Sequence, residues 1–299
     1  MATDFVIVAN PVSGSHAAPE LATRAQELLQ RAGKTVRLRV TQARGHAGEL
    51  AAQAAAEDAG AVVGCGGDGT LQEIAGALDG SQTALGILPR GRCNDFAFAV
   101  GLGKQDAPEK LVQALLNGRR QATDLGAMGP KRFLTVATLG FDSEVSRFVE
   151  TRKLWLKGTP AYVYGIARTL ISFRSPLVRL KWDDGELEAR LLLAATGNAP
   201  CYGGAMRIAP GAQMHDGKFQ LCVVRAVSRL TVLRIFPRVM KGTHVSHPAV
   251  SLVDARSVEI STPERPVWIC ADGESLGQTP CKLEVRPGAL QVLVPEKIA

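Results

Sequence analysis

From Phe5 to Leu116 short apolar runs alternate with helical segments, and this alternation limits the first part of the chain to a parallel sheet with helices on its faces. Phe5–Ala9 is an apolar run that ends at Asn10-Pro11. Pro19–Arg31 sets Leu21, Ala25, Leu28 and Leu29 on one helical face and closes at Gly33. Thr35–Thr41 alternates Val36, Leu38 and Val40 with basic residues, a strand period. A helix over Ala47–Ala59, a buried-type strand over Ala61–Cys65, a helix over Leu71–Leu78, a strand over Leu85–Leu88 and a helix over Ala107–Leu116 complete the series.

The character changes near Arg120. From Phe133 onward strand-like runs dominate: Phe133–Thr138, Val178–Trp182, Leu187–Thr196, Phe219–Val224, Val258–Ser261, Val267–Ala271, Cys281–Val285 and Leu290–Val294. Helices are expected only at Tyr162–Phe173 and Leu230–Met240. This pattern predicts an antiparallel sandwich or barrel. A chain of 299 residues accommodates two domains, and the absence of a low-complexity linker predicts that they pack together, with a cleft between them as the favoured ligand site.

The net charge of +7 suits nucleic acid, an anionic membrane or a phosphorylated small molecule. No dense Lys/Arg block is present and aromatics make up 5% of the chain, so no nucleic acid is expected as a partner. The six cysteines include no Cys-x-x-Cys pair, and runs such as Leu221–Val224 around Cys222 read as buried free thiols of a reducing compartment. The N-terminal residues lack a basic leader pattern, and no apolar stretch approaches ~18–20 residues. The expectation is a cytoplasmic protein that meets lipid from the water side.

Gly66-Gly67-Asp68-Gly69-Thr70 lies between an expected strand and an expected helix. Glycines let backbone N–H groups approach phosphate oxygens, and the helix start adds unpaired donors. Thr70 can cap that helix or touch a phosphate. Asp68 belongs in an anion-binding loop only with a cation between, such as nucleotide-borne magnesium; otherwise it forms an ordinary turn. Asn10–Gly14, Thr41 with Gly45-His46-Ala47, and Gly86–Phe96 lie at the same sheet edge, where open α/β sheets bind ligands. One nucleotide site accounts for all four loops.

These motifs resemble the diacylglycerol kinase catalytic-domain family, in particular its soluble bacterial lipid-kinase branch. Further matches are Gly140-Phe141-Asp142, Tyr202-Gly203-Gly204 with Ile208-Ala209-Pro210, Asp216-Gly217, and Asp272-Gly273-Glu274, in family order over nearly the whole chain. NAD kinases share the Gly66–Thr70 element, whereas Leu85–Phe96 and Asp272–Glu274 favour the lipid-kinase side. The resemblance implies an α/β nucleotide-binding domain over residues 1–125, with residues 287–299 returning to it, and a β-sandwich domain over 126–286. It implies ATP with Mg2+ as cofactors, held by Asn10, Thr41, Gly66, Gly67, Asp68, Gly69 and Thr70. It implies Glu274 as general base, with Asp68, Asp95 and Asp124 near the magnesium. It also implies a structural magnesium on the Asp216 side chain and the carbonyls of Gln213 and Lys218.

Read without the family, Asp272–Glu274 is a hairpin turn and Asp124 a capping residue. Arg90 and Arg92 depart from the family pattern, and three partners stay open for them: nucleotide, lipid headgroup and solvent. Arg229, Arg234, Arg238 and Lys241 punctuate the apolar segment Leu230–Met240. It can lie at a headgroup surface, but a helix packed on the sandwich with a solvated basic face is the simpler account. Leu154-Trp155-Leu156-Lys157 is a second candidate edge. The resulting expectation is a kinase transferring the γ-phosphate to a lipid hydroxyl at a membrane surface, with a homodimer left open. A kinase for a soluble hydroxyl compound such as NAD, and a nucleotide- or lipid-binding regulator without catalysis, are the alternatives.

Overall fold

The computed structural model describes residues 3–14, 16–103, 106–152, 159–204 and 206–296; the Leu154–Lys157 edge lies outside them. The chain divides into two compact units, Met1–Leu125 with Arg286–Ala299, and Gly126–Val285.

The first unit is an α/β layer. Its elements are β1 (Phe5–Ala9), α1 (Ala18–Arg31), β2 (Val36–Val40), α2 (His46–Ala56), β3 (Ala61–Gly66), α3 (Asp68–Ala77), β4 (Ala84–Pro89), α4 (Asp95–Ala99), α5 (Pro108–Asn117) and the start of β5 (Arg119–Met128). The strands run parallel in the order β2-β1-β3-β4, with Phe5 opposite both Val36 and Ala61, and Ala61 opposite Ala84. Every residue of β1, β3 and β4 is buried, as expected of strands covered on both faces. Edge strand β2 is half exposed and carries Arg37 and Arg39, which both pair with Glu57. In α1, Pro19 stands in the first turn, while Leu21, Ala25 and Leu29 are buried.

The second unit is a β-sandwich with helices on one outer face. It continues with β6 (Lys131–Phe133), β7 (Val136–Gly140), α6 (Phe141–Thr151), α7 (Thr159–Ser172), β8 (Leu177–Trp182), β9 (Gly185–Gly197), β10 (Phe219–Arg225), α8 (Arg229–Met240), β11 (Val250–Ala255), β12 (Ser257–Ser261), β13 (Trp268–Ala271), β14 (Glu274–Gln278) and β15 (Cys281–Val294). Antiparallel neighbours run β14-β13-β7-β9-β10-β11 in one sheet. The first half of β9 pairs with β8, which leads to β12 and the start of β15 in the other. β9 therefore joins both sheets: residues 185–190 alternate between half-exposed and exposed, and residues 191–197 are buried throughout.

Period-2 alternation explains the double burial. On β10, Leu221 and Val223 enter the core between the sheets with Leu139, Leu180 and Ile269. Cys222 and Val224 face the opposite way, into a second core with Val232, Ile235 and Val239 of α8. This helical layer is why Phe219–Val224 reads as a continuous apolar run.

Several elements differ from the sequence expectation: α4, β5, α6, β11 and β14 were not expected, and Phe133–Thr138 is divided between β6 and β7. Cys281–Val285 and Leu290–Val294 form one 14-residue strand, which begins in the second unit and ends parallel to β4 in the first, Val292 opposite Leu85. Pro287-Gly288 does not end it, because Gly288 takes φ +58° and gives its N–H to Asp124 Oδ1 at 2.7 Å. The helix after Gly67 begins at Asp68, three residues before Leu71.

Candidate active site

In the first unit the loops after β1, β3 and β4 close on one another at the carboxyl edge of the sheet. A Cβ on Gly14 would stand 2.6 Å from the Arg90 carbonyl oxygen, and one on Gly91 would stand 2.5 Å from the Gly67 Cα. Arg90 N–H donates to the Gly66 carbonyl at 2.8 Å. Glycine is therefore required at Gly91 by space between two backbones, not by its φ angle, and a Cβ on Gly67 would stand a tight 3.0 Å from the Gly91 Cα.

Gly67 is the N-cap of α3, in extended conformation, and as a glycine it has no side chain to cap that helix end. Its first-turn N–H groups are the kind of donor array that receives phosphate. Thr70 does not cap the helix, because the helix begins two residues before it. Its buried hydroxyl instead accepts from Asn10 Nδ2 at 3.0 Å, while Asn10 Oδ1 accepts from Val12 N–H at 3.2 Å. Asn10 and Thr70 thus tie the β1 loop to α3. Thr41 is buried at the end of β2, its N–H on the Ala9 carbonyl at 2.9 Å.

The acidic residues hold backbone. Asp68 accepts from the N–H of Asn94 at 2.9 Å and of Phe96 at 3.4 Å, which fixes the start of α4 and places buried Asp95 in its first turn. Asn94 sits at φ +56° and closes the loop on itself through the Gly91 N–H at 2.6 Å. Asp124 receives the Gly288 N–H, and Arg92 is exposed on the same loop as Asn94. Asn94 as a loop clasp and Glu73 were not read from the sequence. Glu73, on α3, accepts from Gly45 N–H at 2.8 Å and Ala47 N–H at 3.1 Å, so a carboxylate already occupies the N-terminus of α2. The Glu73 signal was present as a lone acidic residue in a helix otherwise free of charge after Asp68. The thiol beside this edge, Cys65, is inert: burial pushes it up to about 12.

In the second unit Asp272 (φ +52°) and Gly273 (φ +84°) make a two-residue turn between β13 and β14. Glu274 is the first residue of β14, half exposed and paired with Ala271. The hairpin reading holds, and the turn leads directly into Glu274. The Asp272 carboxylate accepts from Leu134 N–H at 2.6 Å, Thr135 N–H at 3.0 Å and Thr135 Oγ1 at 2.5 Å. Near the same strands, Thr138 Oγ1 donates to Asp142 Oδ2 at 3.0 Å. Burial pushes the Asp142 carboxyl above the usual range, opposed by hydrogen bonds from Thr138 and Tyr202.

Gln213, Asp216 and Lys218 lie on one exposed loop pinned by buried Ala212 and Met214. Asp216 Oδ1 accepts from Lys218 N–H at 3.1 Å, and Gly217 takes φ +71°. Among the described residues no group of three or more His, Cys, Asp or Glu gathers as a metal site. One carboxylate with backbone carbonyls and water still fits a hard cation, and does not fit zinc.

Comparison with known proteins agrees with this geometry. Residues 4–128 match the diacylglycerol kinase catalytic domain, and residues 135–294 match the YegS C-terminal NAD kinase beta sandwich-like domain. A diacylglycerol kinase of Mycobacterium tuberculosis (strain CDC 1551 / Oshkosh) is 34% identical over 96% of this chain and 93% of its own length. One from Bacillus subtilis (strain 168) is 24% identical over 98% of this chain and 97% of its own. The crystal structure of a diacylglycerol kinase from Bacillus anthracis str. Sterne shares the fold with a TM-score of 0.77 at 20% identity, covering 99% of this chain and 98% of its own. With both family models matched in order and a relative at this identity along nearly its whole length, the chain belongs to the diacylglycerol kinase family.

Proposed function

We propose that this protein is an ATP-dependent kinase that transfers the γ-phosphate of Mg-ATP to a hydroxyl of a diacylglycerol-like lipid alcohol. The observation that carries the nucleotide half is the N-terminus of α3 with a glycine as its N-cap, walled by the close-packed glycine backbones of Gly67 and Gly91. The lipid half rests on the named activity of the relatives and on the Asp272-Gly273-Glu274 hairpin.

In this reading the N–H groups at the start of α3 receive phosphate oxygens, with Asn10, Thr41 and Thr70 shaping the adjoining wall. Arg92 is a permanent charge available to the phosphates. Magnesium bound with the nucleotide would offset phosphate charge there, and Asp95, with Asp68 and Asp124, would supply the carboxylates that hold it and its water. Gln213, Asp216 and Lys218 would hold a second, structural ion. Glu274 accepts the proton of the acceptor hydroxyl as its oxygen bonds to the γ-phosphorus and the bond to the β-phosphate oxygen breaks, releasing ADP.

Transfer of labelled γ-phosphate to a panel of lipid alcohols in mixed micelles tests this, beside Glu274→Gln. A labelled lipid made by the wild type and not by the variant, with ATP binding retained in both, is the expected result. Labelling of NAD with no lipid product would give the enzyme a soluble acceptor, and no product at all would leave a regulator.

A further inference from the structure

The outer faces of α7 and α8 depart from the surface chemistry of the rest of the molecule. Among the described residues eleven large apolar side chains are exposed, and seven of them lie on these two helices. On α7, Val163, Tyr164 and Ile171 are 59%, 44% and 65% exposed, a helical spacing of one face. On α8, Leu230, Leu233 and Met240 are 69%, 56% and 47% exposed. Neither helix contains a single Asp or Glu, while Arg168, Arg229, Arg234 and Lys241 lie exposed among the apolar residues.

Other helices of the same chain show what an ordinary solvated face looks like here. The exposed positions of α1 include Glu20, Thr23, Glu27 and Arg31, and those of α5 include Glu109, Lys110 and Gln113. Packing does not consume the outer residues of α8, because Val232, Ile235 and Val239 already supply its inward stripe. Ile166 and Leu170 of α7 pack on that same cluster, and Arg229 Nη2 donates to the Ile171 carbonyl at 2.6 Å. The two faces therefore belong to one patch. At the C-terminal end of α7 the surface opens into a cavity of about 650 Å3 whose lining includes Arg174, Arg190 and Arg265, with Glu144 and Glu264 as its carboxylates.

We propose that the outer face of α7 and α8 docks on an anionic lipid bilayer. Leu230, Leu233, Met240 and Ile171 enter the boundary between headgroups and acyl chains, and the flanking Arg and Lys side chains meet lipid phosphates. Apolar burial and cationic attraction act together in such interfacial helices, and a face with cations but no carboxylate matches a negative surface. The inference rests on the lipid-acceptor reading for its purpose, since it brings the enzyme to where such a substrate resides.

The test is sedimentation of the full chain with vesicles of phosphatidylcholine alone or with added phosphatidylglycerol, without ATP, at low and high salt. Binding is expected to the phosphatidylglycerol vesicles and to weaken with salt. Leu233→Glu with Met240→Glu, and separately Arg234→Glu with Lys241→Glu, should each weaken it by at least about tenfold, with melting temperature and ATP binding unchanged. Failure of the wild type to bind, or binding unaffected by either pair, overturns the proposal. So does a dimer that Leu233→Glu with Met240→Glu converts to monomer without loss of vesicle binding, which would put a second copy on this face. Because docking is measured without turnover, failure to phosphorylate any lipid would count against the kinase reading alone.

Discussion

The Gly91 Cα hydrogen points at Gly67 across a gap that no side chain fits: a Cβ there would lie 2.5 Å from the Gly67 Cα and 2.8 Å from Asn94 Oδ1. Neither obstacle is the loose end of a long side chain. Gly91→Ala must therefore part the β3 and β4 loops, and the donors at the start of α3 move with them. The expected outcome is at least about a tenfold loss of nucleotide affinity by titration calorimetry, with a stability loss of about 1–3 kcal/mol in urea. Unchanged affinity would show that the close approach does not shape the phosphate site.

Asp68 offers a second separation of roles. Its carboxylate holds the N–H groups of Asn94 and Phe96, so Asp68→Ala should lower stability by about 1–2 kcal/mol through loss of an α4 cap. Asp68→Asn keeps one acceptor oxygen and should keep most of that stability while lowering phosphoryl transfer, because the negative charge is gone. Equal melting of wild type and Asp68→Ala would mean that the cap contributes nothing.

Much of this site was legible because it is local. Ala61–Cys65 is an unbroken apolar run, Gly66–Thr70 follows at once and Leu71–Leu78 after it, so strand, loop and helix could be read from eighteen consecutive residues. What was not legible depends on partners distant in sequence. Glu73 reaches Gly45 across 28 positions, and Asp272 reaches Leu134 across 138. No local pattern distinguishes such carboxylates from solvated ones. β5 escaped notice because its first residues, Arg119–Ala122, are polar or small and mostly exposed, and only Thr123–Ala127 is buried. The segment of α8 is visible in the sequence, but its outer and inner faces could not be told apart, for the opposite reason. Its sequence is apolar nearly all round, and only packing shows which stripe is spent on the core.

Asp272 and Glu274 are expected to separate structure from chemistry. Asp272→Ala removes the acceptor for two N–H groups and a hydroxyl, and should cost about 2–3 kcal/mol of stability. Because the hairpin carries Glu274, kcat should fall by about 10- to 100-fold while KM for ATP changes little. Glu274→Gln should lower kcat further and leave melting almost unchanged, since its side chain is half exposed on β14. A fall in stability larger for Glu274→Gln than for Asp272→Ala would reverse the two assignments.

The last prediction concerns Asp142. Burial raises its carboxyl above the unfolded value of about 3.9, against hydrogen bonds from Thr138 and Tyr202. Below the unfolded pKa both states hold the proton and no stability is lost. As pH rises through the interval up to the folded pKa, the unfolded chain releases its proton first, so the native state loses stability until its own carboxyl ionises. Asp142→Asn keeps an oxygen acceptor for Thr138 and Tyr202 and has no proton to release. Its stability relative to wild type should therefore be lowest near pH 4 and climb towards neutral pH, then level off. Urea unfolding of both proteins from about pH 4 to pH 8 measures the difference directly, and a difference constant across that range would mean that Asp142 titrates as an exposed carboxyl does.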